Sequence, residues 1–125
     1  MNSLDNTKDI DFHLVKIGNK TFVLEECKDH NKGLSNREHL HDNEGMLFNF
    51  IDKSDRSFHM KGCLLPLDII FIENNKIKKI HHECEPCQDG DCKKFECESA
   101  DTVIELLGGT CKKHSINEGV LYQFF

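Results

Sequence analysis

The sequence predicts a mainly β protein, a small rolled sheet or barrel of short strands with one or two short helical turns. Three observations carry that expectation. The stretch Phe58 to Ile72, F-H-M-K-G-C-L-L-P-L-D-I-I-F-I, is rich in branched and aromatic residues and too short an apolar run for a membrane span. Two turn signals, Gly18-Asn19 and Glu73-Asn74-Asn75-Lys76, each join segments of strand composition. Polar punctuation between the apolar segments then spaces out roughly six to eight short strands.

Taken in order, residues 1–11 carry few apolar side chains and are expected to fray, leaving 12–125 as one β domain. Phe12 to Ile17 and Thr21 to Glu25 read as a hairpin about Gly18-Asn19. The segment from Cys27 to Arg37 is polar, with Lys28 to Lys32 a solvated connection. Gly45 to Ile51 reads as a strand with Met46, Phe48 and Phe50 on one face and Leu47 and Ile51 on the other, which implies burial on both sides. Asp52 to Asp55 is expected to turn the chain into the Phe58–Ile72 stretch. Within that stretch Pro66 lacks a backbone donor and belongs at an edge, bulge or strand start. After the second hairpin, residues 81–99 are nearly devoid of apolar side chains apart from Phe95 and read as a long Cys-rich loop. Thr102 to Leu107 is a strand, Cys111 to His114 one helical turn, and Val120 to Phe125 a terminal strand that must pair with something.

A chain of 125 residues with 38% hydrophobic and 30% charged residues is one ordinary soluble domain. Its formal net charge of -6 argues against nucleic acid or an anionic membrane as partner, since neither would be attracted to it. Seven cysteines is a high and odd count, which points to thiols or metal ligands in a reducing compartment. The N-terminus lacks the basic and apolar order of a targeting segment, so a cytoplasmic location is expected, the alternative being export with a leader removed.

Two constellations could carry chemistry. Asp68 is a carboxylate among residues that favour burial, so it must find cations or backbone amides, or else point outward. Arg37, Arg56 and Lys61 are the cations nearest the apolar motifs, and Glu44 and Glu105 are acids at strand edges. A meeting of Asp68, Arg37 and His59 in a concave surface would bind a small polar ligand or place a base; a structural ion pair is the commoner outcome for such residues. The second constellation is Cys84, Cys87, Cys92 and Cys97, preceded by His81 and His82. Four thiolates could hold zinc, although the spacing is not that of a standard ribbon. A disulfide such as Cys87 to Cys92, or free thiols, fits as well. Cys63 and His59 would share a strand face, permitting a nucleophile pair, but a small cysteine in an apolar strand is more often core. Phosphate-cradling glycine loops, nucleotide fingerprints and Ser/His/Asp signatures are missing from the sequence.

Three segments together resemble a known family. These are G-L-S-N-R-E-H-L-H-D-N-E-G-M-L-F (Gly33 to Phe48), the Phe58 to Ile72 stretch, and V-I-E-L-L-G-G (Val103 to Gly109). They are similar to the successive G-L-M-x-R, G-M-L-F, F-W-M-K-N-T-x-x-P-L-D-I-I-F and V-L-E-x-x-x-G elements of the domain-of-unknown-function family 192. Ser35, His59, Gly62 and Cys63 depart from that pattern, which has Met, Trp, Asn and Thr there. The resemblance implies a compact, mainly β fold and supplies no activity. Relatives often sit behind an export leader, and some carry a Pro-Cys and later Cys that align with Pro86-Cys87 and Cys92.

The function expected is therefore a non-enzymatic binding or accessory domain. Its motif face of Arg37, His59, Met60, Lys61, Pro66 and Asp68 would recognise a small ligand or a protein, with the Cys loop crosslinked or metal-bound. The alternative is a metal- or thiol-dependent enzyme using the Cys loop or Asp68. No catalytic residue is assigned.

Overall fold

A computed structural model describes residues 10–28 and 33–125. The expected fraying of the N-terminus concerns residues that lie almost wholly outside that range, as does most of the Lys28–Lys32 connection. Among the described residues, β1 (Phe12–Ile17), β2 (Lys20–Glu26), β3 (Glu44–His59), β4 (Leu67–Glu73), β5 (Lys76–Cys84), β6 (Lys94–Leu107) and β7 (Tyr122–Phe124) form one sheet, with a single helical turn, α1 (Thr110–Lys113). The strand order is β5-β4-β6-β3-β2-β1-β7, curled into a half-barrel.

Local chemistry accounts for both expected hairpins. Asn74 and Asn75 adopt φ of 53° and 65°, the left-handed pair that a two-residue turn requires, and Glu73 pairs with Lys76 across it. Gly18 supplies φ of 62° in the β1–β2 turn. Between β2 and β3 the pairing is parallel, Val23 opposite Glu44, so residues 27–43 must cross over. That crossover carries the turn Gly33 to Asn36 onto one face of the sheet, where Leu34 is buried.

Three boundaries differ from the sequence reading. Residues 52–55 do not turn: β3 continues through them, with register shifts between Asn49 and Arg56 that bend the strand. Within that irregularity Ile51 is fully exposed instead of buried. The Phe58–Ile72 stretch is the end of β3, a connection, and β4. The Cys-rich loop shrinks to residues 85–93, because β5 runs to Cys84 and β6 begins at Lys94 with Phe95 and Cys97 facing inward.

The sheet is covered on both faces. One core gathers Met46, Phe48, Met60, Leu67, Ile69, Phe71 and Val103. The other gathers Val15, Ile17, Phe22, Leu24, Leu47, Ile70, Ile104 and Leu106 with Cys111 of α1. The curl is stitched at one end: Ile77 donates to the Val120 carbonyl at 2.9 Å and Tyr122 to that of Asn75 at 2.9 Å, joining the β4–β5 hairpin to the segment entering β7. β7 pairs with β1, as a terminal strand must, while the rings of Phe124 and Phe125 stay exposed.

Candidate functional site

Two acids lie in the apolar middle of neighbouring strands, and their partners separate them. Asp68 on β4 is fully buried, opposite Leu106. Its Oδ1 accepts from the backbone amides of Glu83 at 2.8 Å and Gly109 at 3.1 Å, and its Oδ2 from that of Cys111 at 2.8 Å. Gly109 caps α1 and has no side chain to do so; Asp68 takes over from across the sheet. Glu83 stands at φ of 50°, near a register shift between β4 and β5. Asp68 thus pins a strand irregularity and a helix start. It meets backbone amides, one of the two partner types expected, and no cation among the described residues.

Glu105 on β6 is 4% exposed and stands opposite Met46 of β3 and Ile69 of β4, on the other face of the sheet. Alternation puts Ile104 and Leu106 into the second core and leaves the Glu105 carboxyl under the crossover. No described residue donates a hydrogen bond to it, and burial pushes its pKa up to about 8. Gly33, at φ of 51°, passes directly above: a Cβ there would lie 3.7 Å from Glu105 Oε1 and 3.3 Å from Phe48 Cζ. The missing side chain keeps the carboxyl open to a cleft of about 340 Å³.

Aromatic rings wall this cleft. Phe58 meets Phe48 edge to face at 4.9 Å, and Phe50 lies beneath the Arg56 guanidinium at 3.7 Å. Arg56 is further committed to the Ala100 carbonyl at 2.8 Å and the Asp52 carboxylate at 3.2 Å. At the rim, the Lys61 amide donates to His59 Nδ1 at 3.2 Å, so the proton of the neutral ring sits on Nε2. Cys63 lines the cleft as a thiol pushed up to about 11, by burial first and then by the nearby Glu105. It is not prepared as a nucleophile.

The rim segment 60–63 is held from two sides. Asn36 of the crossover donates to the Gly62 carbonyl at 2.8 Å. From the other side, Cys87 donates to the Met60 carbonyl at 3.2 Å, Gly62 to the Cys87 carbonyl at 3.0 Å, and Gln88 Nε2 to the Cys63 carbonyl at 3.0 Å. The loop that makes these contacts is closed by a Cys87–Cys92 disulfide. This corrects the four-sulfur zinc arrangement. Cys87 and Cys92 are bonded to each other, Cys84 and Cys97 are buried free thiols on β5 and β6, and no metal-holding cluster occurs among the described residues. Burial is the first cause that raises Cys84 to about 11.

Of the expected ligand-binding face, His59 and Lys61 line the cleft. Met60 is core, Pro66 accepts from the Gly108 amide at 2.9 Å, and Asp68 is on the far face. Arg37 does not reach Asp68; it pairs with Glu25 at 3.2 Å on the surface. The floor of the cleft was missed, although V-I-E-L-L shows the same signal as L-D-I-I, an acid set in an apolar strand.

Solved structures share the whole fold. A candidate transcription regulator from Sinorhizobium meliloti 1021 superposes with a TM-score of 0.84 at 24% identity, over 92% of this chain and 95% of that one. A protein of unknown function from Novosphingobium aromaticivorans DSM 12444 gives 0.82 at 25% identity, over 90% and 84%. No curated protein matches the chain. No helix among the described residues is long and apolar enough to cross a membrane. The family model of DUF192, described as an uncharacterized ACR, matches residues 16–124, and with nearly its whole fold domain inside that match the chain belongs to this family.

Proposed function

We propose that the protein is a small non-enzymatic binding module whose ligand enters the cleft over Glu105. One observation carries the reading: a carboxyl buried without a donor, in a cleft walled by phenylalanines and opened by a glycine. Such burial costs stability, and a group kept at that cost in a concave site is a binding-site candidate. A volume near 340 Å³ falls at the small end of ligand sites, roughly 300–1,000 Å³. His59 and Lys61, both expected from sequence, add polar groups at the rim.

A thiol-dependent enzyme gains little support, since the free cysteines are buried and Cys63, Cys84 and Cys111 are all shifted away from thiolate. The raised value at Glu105 does favour a second reading, a general acid–base enzyme working near neutral pH. The net charge of -6 supports a partner other than nucleic acid, whatever role the Sinorhizobium neighbour has. The Cys87–Cys92 disulfide supports the exported alternative over a cytoplasmic one, because such bonds persist in oxidising compartments.

A fragment screen followed by amide chemical shifts tests the site. Binders should perturb Gly33, Ser35, Phe58 and Glu105 together. Binding that moves only amides on the opposite face, around Asp68 and α1, would overturn the cleft as the site.

A further inference from the structure

The surroundings of Glu105 select the ligand's chemistry. From the crossover it faces Gly33, Leu34 and Ser35; from β4, Ile69; from β3, Met46 and Phe48. None of these carries charge. The titratable groups bordering it are the Cys63 thiol, Asp55, Arg56, His59 and Lys61 in the cleft, with the Cys84 thiol felt from β5. No cation makes an ion pair with Glu105 among the described residues. Arg56 is committed to Asp52 and Ala100, and Lys61 stands at the mouth.

A carboxyl so placed is held neutral, and in that state it offers one O–H donor beside one C=O acceptor. An entering ammonium would have to ionise it and pass Lys61 and Arg56. An entering carboxylate would lose its hydration against phenylalanine rings and gain a single O–H bond from the floor. A group bearing its own adjacent donor and acceptor satisfies both atoms of the acid at once and brings no charge into the apolar wall.

We infer that the cleft takes a neutral ligand of the carboxamide, lactam or urea class, carried on a flat apolar body, whose paired donor and acceptor close a two-bond ring with the carboxyl group of Glu105. The flat body lies in the cleft alongside the Phe48–Phe58 pair, whose rings already touch edge to face. This inference rests on the cleft reading above, and its test is built to fail separately from it.

The probes are benzamide and 2-pyridone, with benzylamine and benzoate as charged counterparts of similar size, titrated into the full chain and followed by amide shifts. The neutral pair should bind at pH 7 at least ten-fold more tightly than either charged probe. Their affinity should fall about thirty-fold by pH 9.5, as Glu105 loses its proton. Glu105→Gln, which keeps a donor beside an acceptor, should bind benzamide within about three-fold of wild type and without that pH dependence. Glu105→Leu should lose it. Benzylamine binding that tightens as pH rises, preferred binding of benzoate, or loss of benzamide in a folded Glu105→Gln variant would overturn the inference while leaving the cleft as a binding site. Cleft amides unmoved by all four probes would overturn the inference and count against the cleft as well. Should the Gln variant not fold, the wild-type pH profile decides alone, a flat or rising affinity for benzamide being the adverse result.

Discussion

Asp68 and Glu105 occupy neighbouring strands one register step apart, both acids in apolar runs, both nearly sealed from water. The first is surrounded by backbone amides that would be orphans without it. The second has a mostly apolar surround with the Cys63 and Cys84 thiols nearby, and no described residue donates a hydrogen bond to it. Burying a carboxyl therefore has two outcomes in this fold. Where the backbone has amides to satisfy, the acid is structural and those amides donate to it. Where it has none, burial favours the protonated acid, and here the carboxyl borders a cleft. Burial alone does not distinguish them; the donors do.

The comparison breaks first at Asp68. Asp68→Ala removes the acceptor of three backbone amides and should lower stability by about 5 kcal/mol, read from urea denaturation. A loss below about 1 kcal/mol would mean that water replaces it. At Glu105 the effect has the opposite sign and depends on pH. Below its ordinary value of 4.5 both folded and unfolded chains hold the proton. Above it the unfolded chain releases the proton while the folded one keeps it up to about 8, so stability falls as pH rises across that window and then levels off. Glu105→Gln should remove the slope and gain on the order of 3 kcal/mol over wild type between pH 5 and pH 8, less than the full shift because water reaches the cleft. Parallel stability curves for the two proteins would place the proton elsewhere.

Smaller changes sharpen the contrast. Cys87→Ser with Cys92→Ser should cost about 2 kcal/mol, as expected for a short closed loop. Because that loop clamps residues 60–63, the amide shifts should concentrate at the Glu105 cleft and spare Gly109 and Cys111, which can be read in one spectrum. Arg37→Ala should change stability by no more than about 0.5 kcal/mol, since its pair with Glu25 is exposed to solvent. A loss of several kcal/mol would restore Arg37 as a partner of the buried acids.

Legibility followed period and turn chemistry. The Asn74-Asn75 hairpin, the Gly18 turn, the α1 turn and the pairing of the last strand could be read because each depends on neighbours in sequence. The Cys-rich segment was read as too long a loop, because its polar residues masked two strand ends, although the Cys87–Cys92 disulfide was among the options the sequence offered. K-F-E-C-E alternates as a half-buried strand should, with Phe95 and Cys97 inward. Residues 52–55 were misread because a polar run inside a bulged strand looks like a turn. At the cleft, His59 and Lys61 are lining residues that the sequence had also singled out, whereas the choice of Asp68 over Glu105 was a choice between identical signals.

The sequence by itself determined that this chain forms a rolled β sheet and that Asp68 stands among residues that favour burial, because strand periodicity and turn residues act over a few positions. Only the tertiary structure decided which acid is satisfied, which cysteines join, and that Gly33 lies over Glu105. Those depend on a crossover between parallel strands and on amides contributed from some forty residues away, and a hydrogen bond forms only where a donor arrives with the right distance and direction.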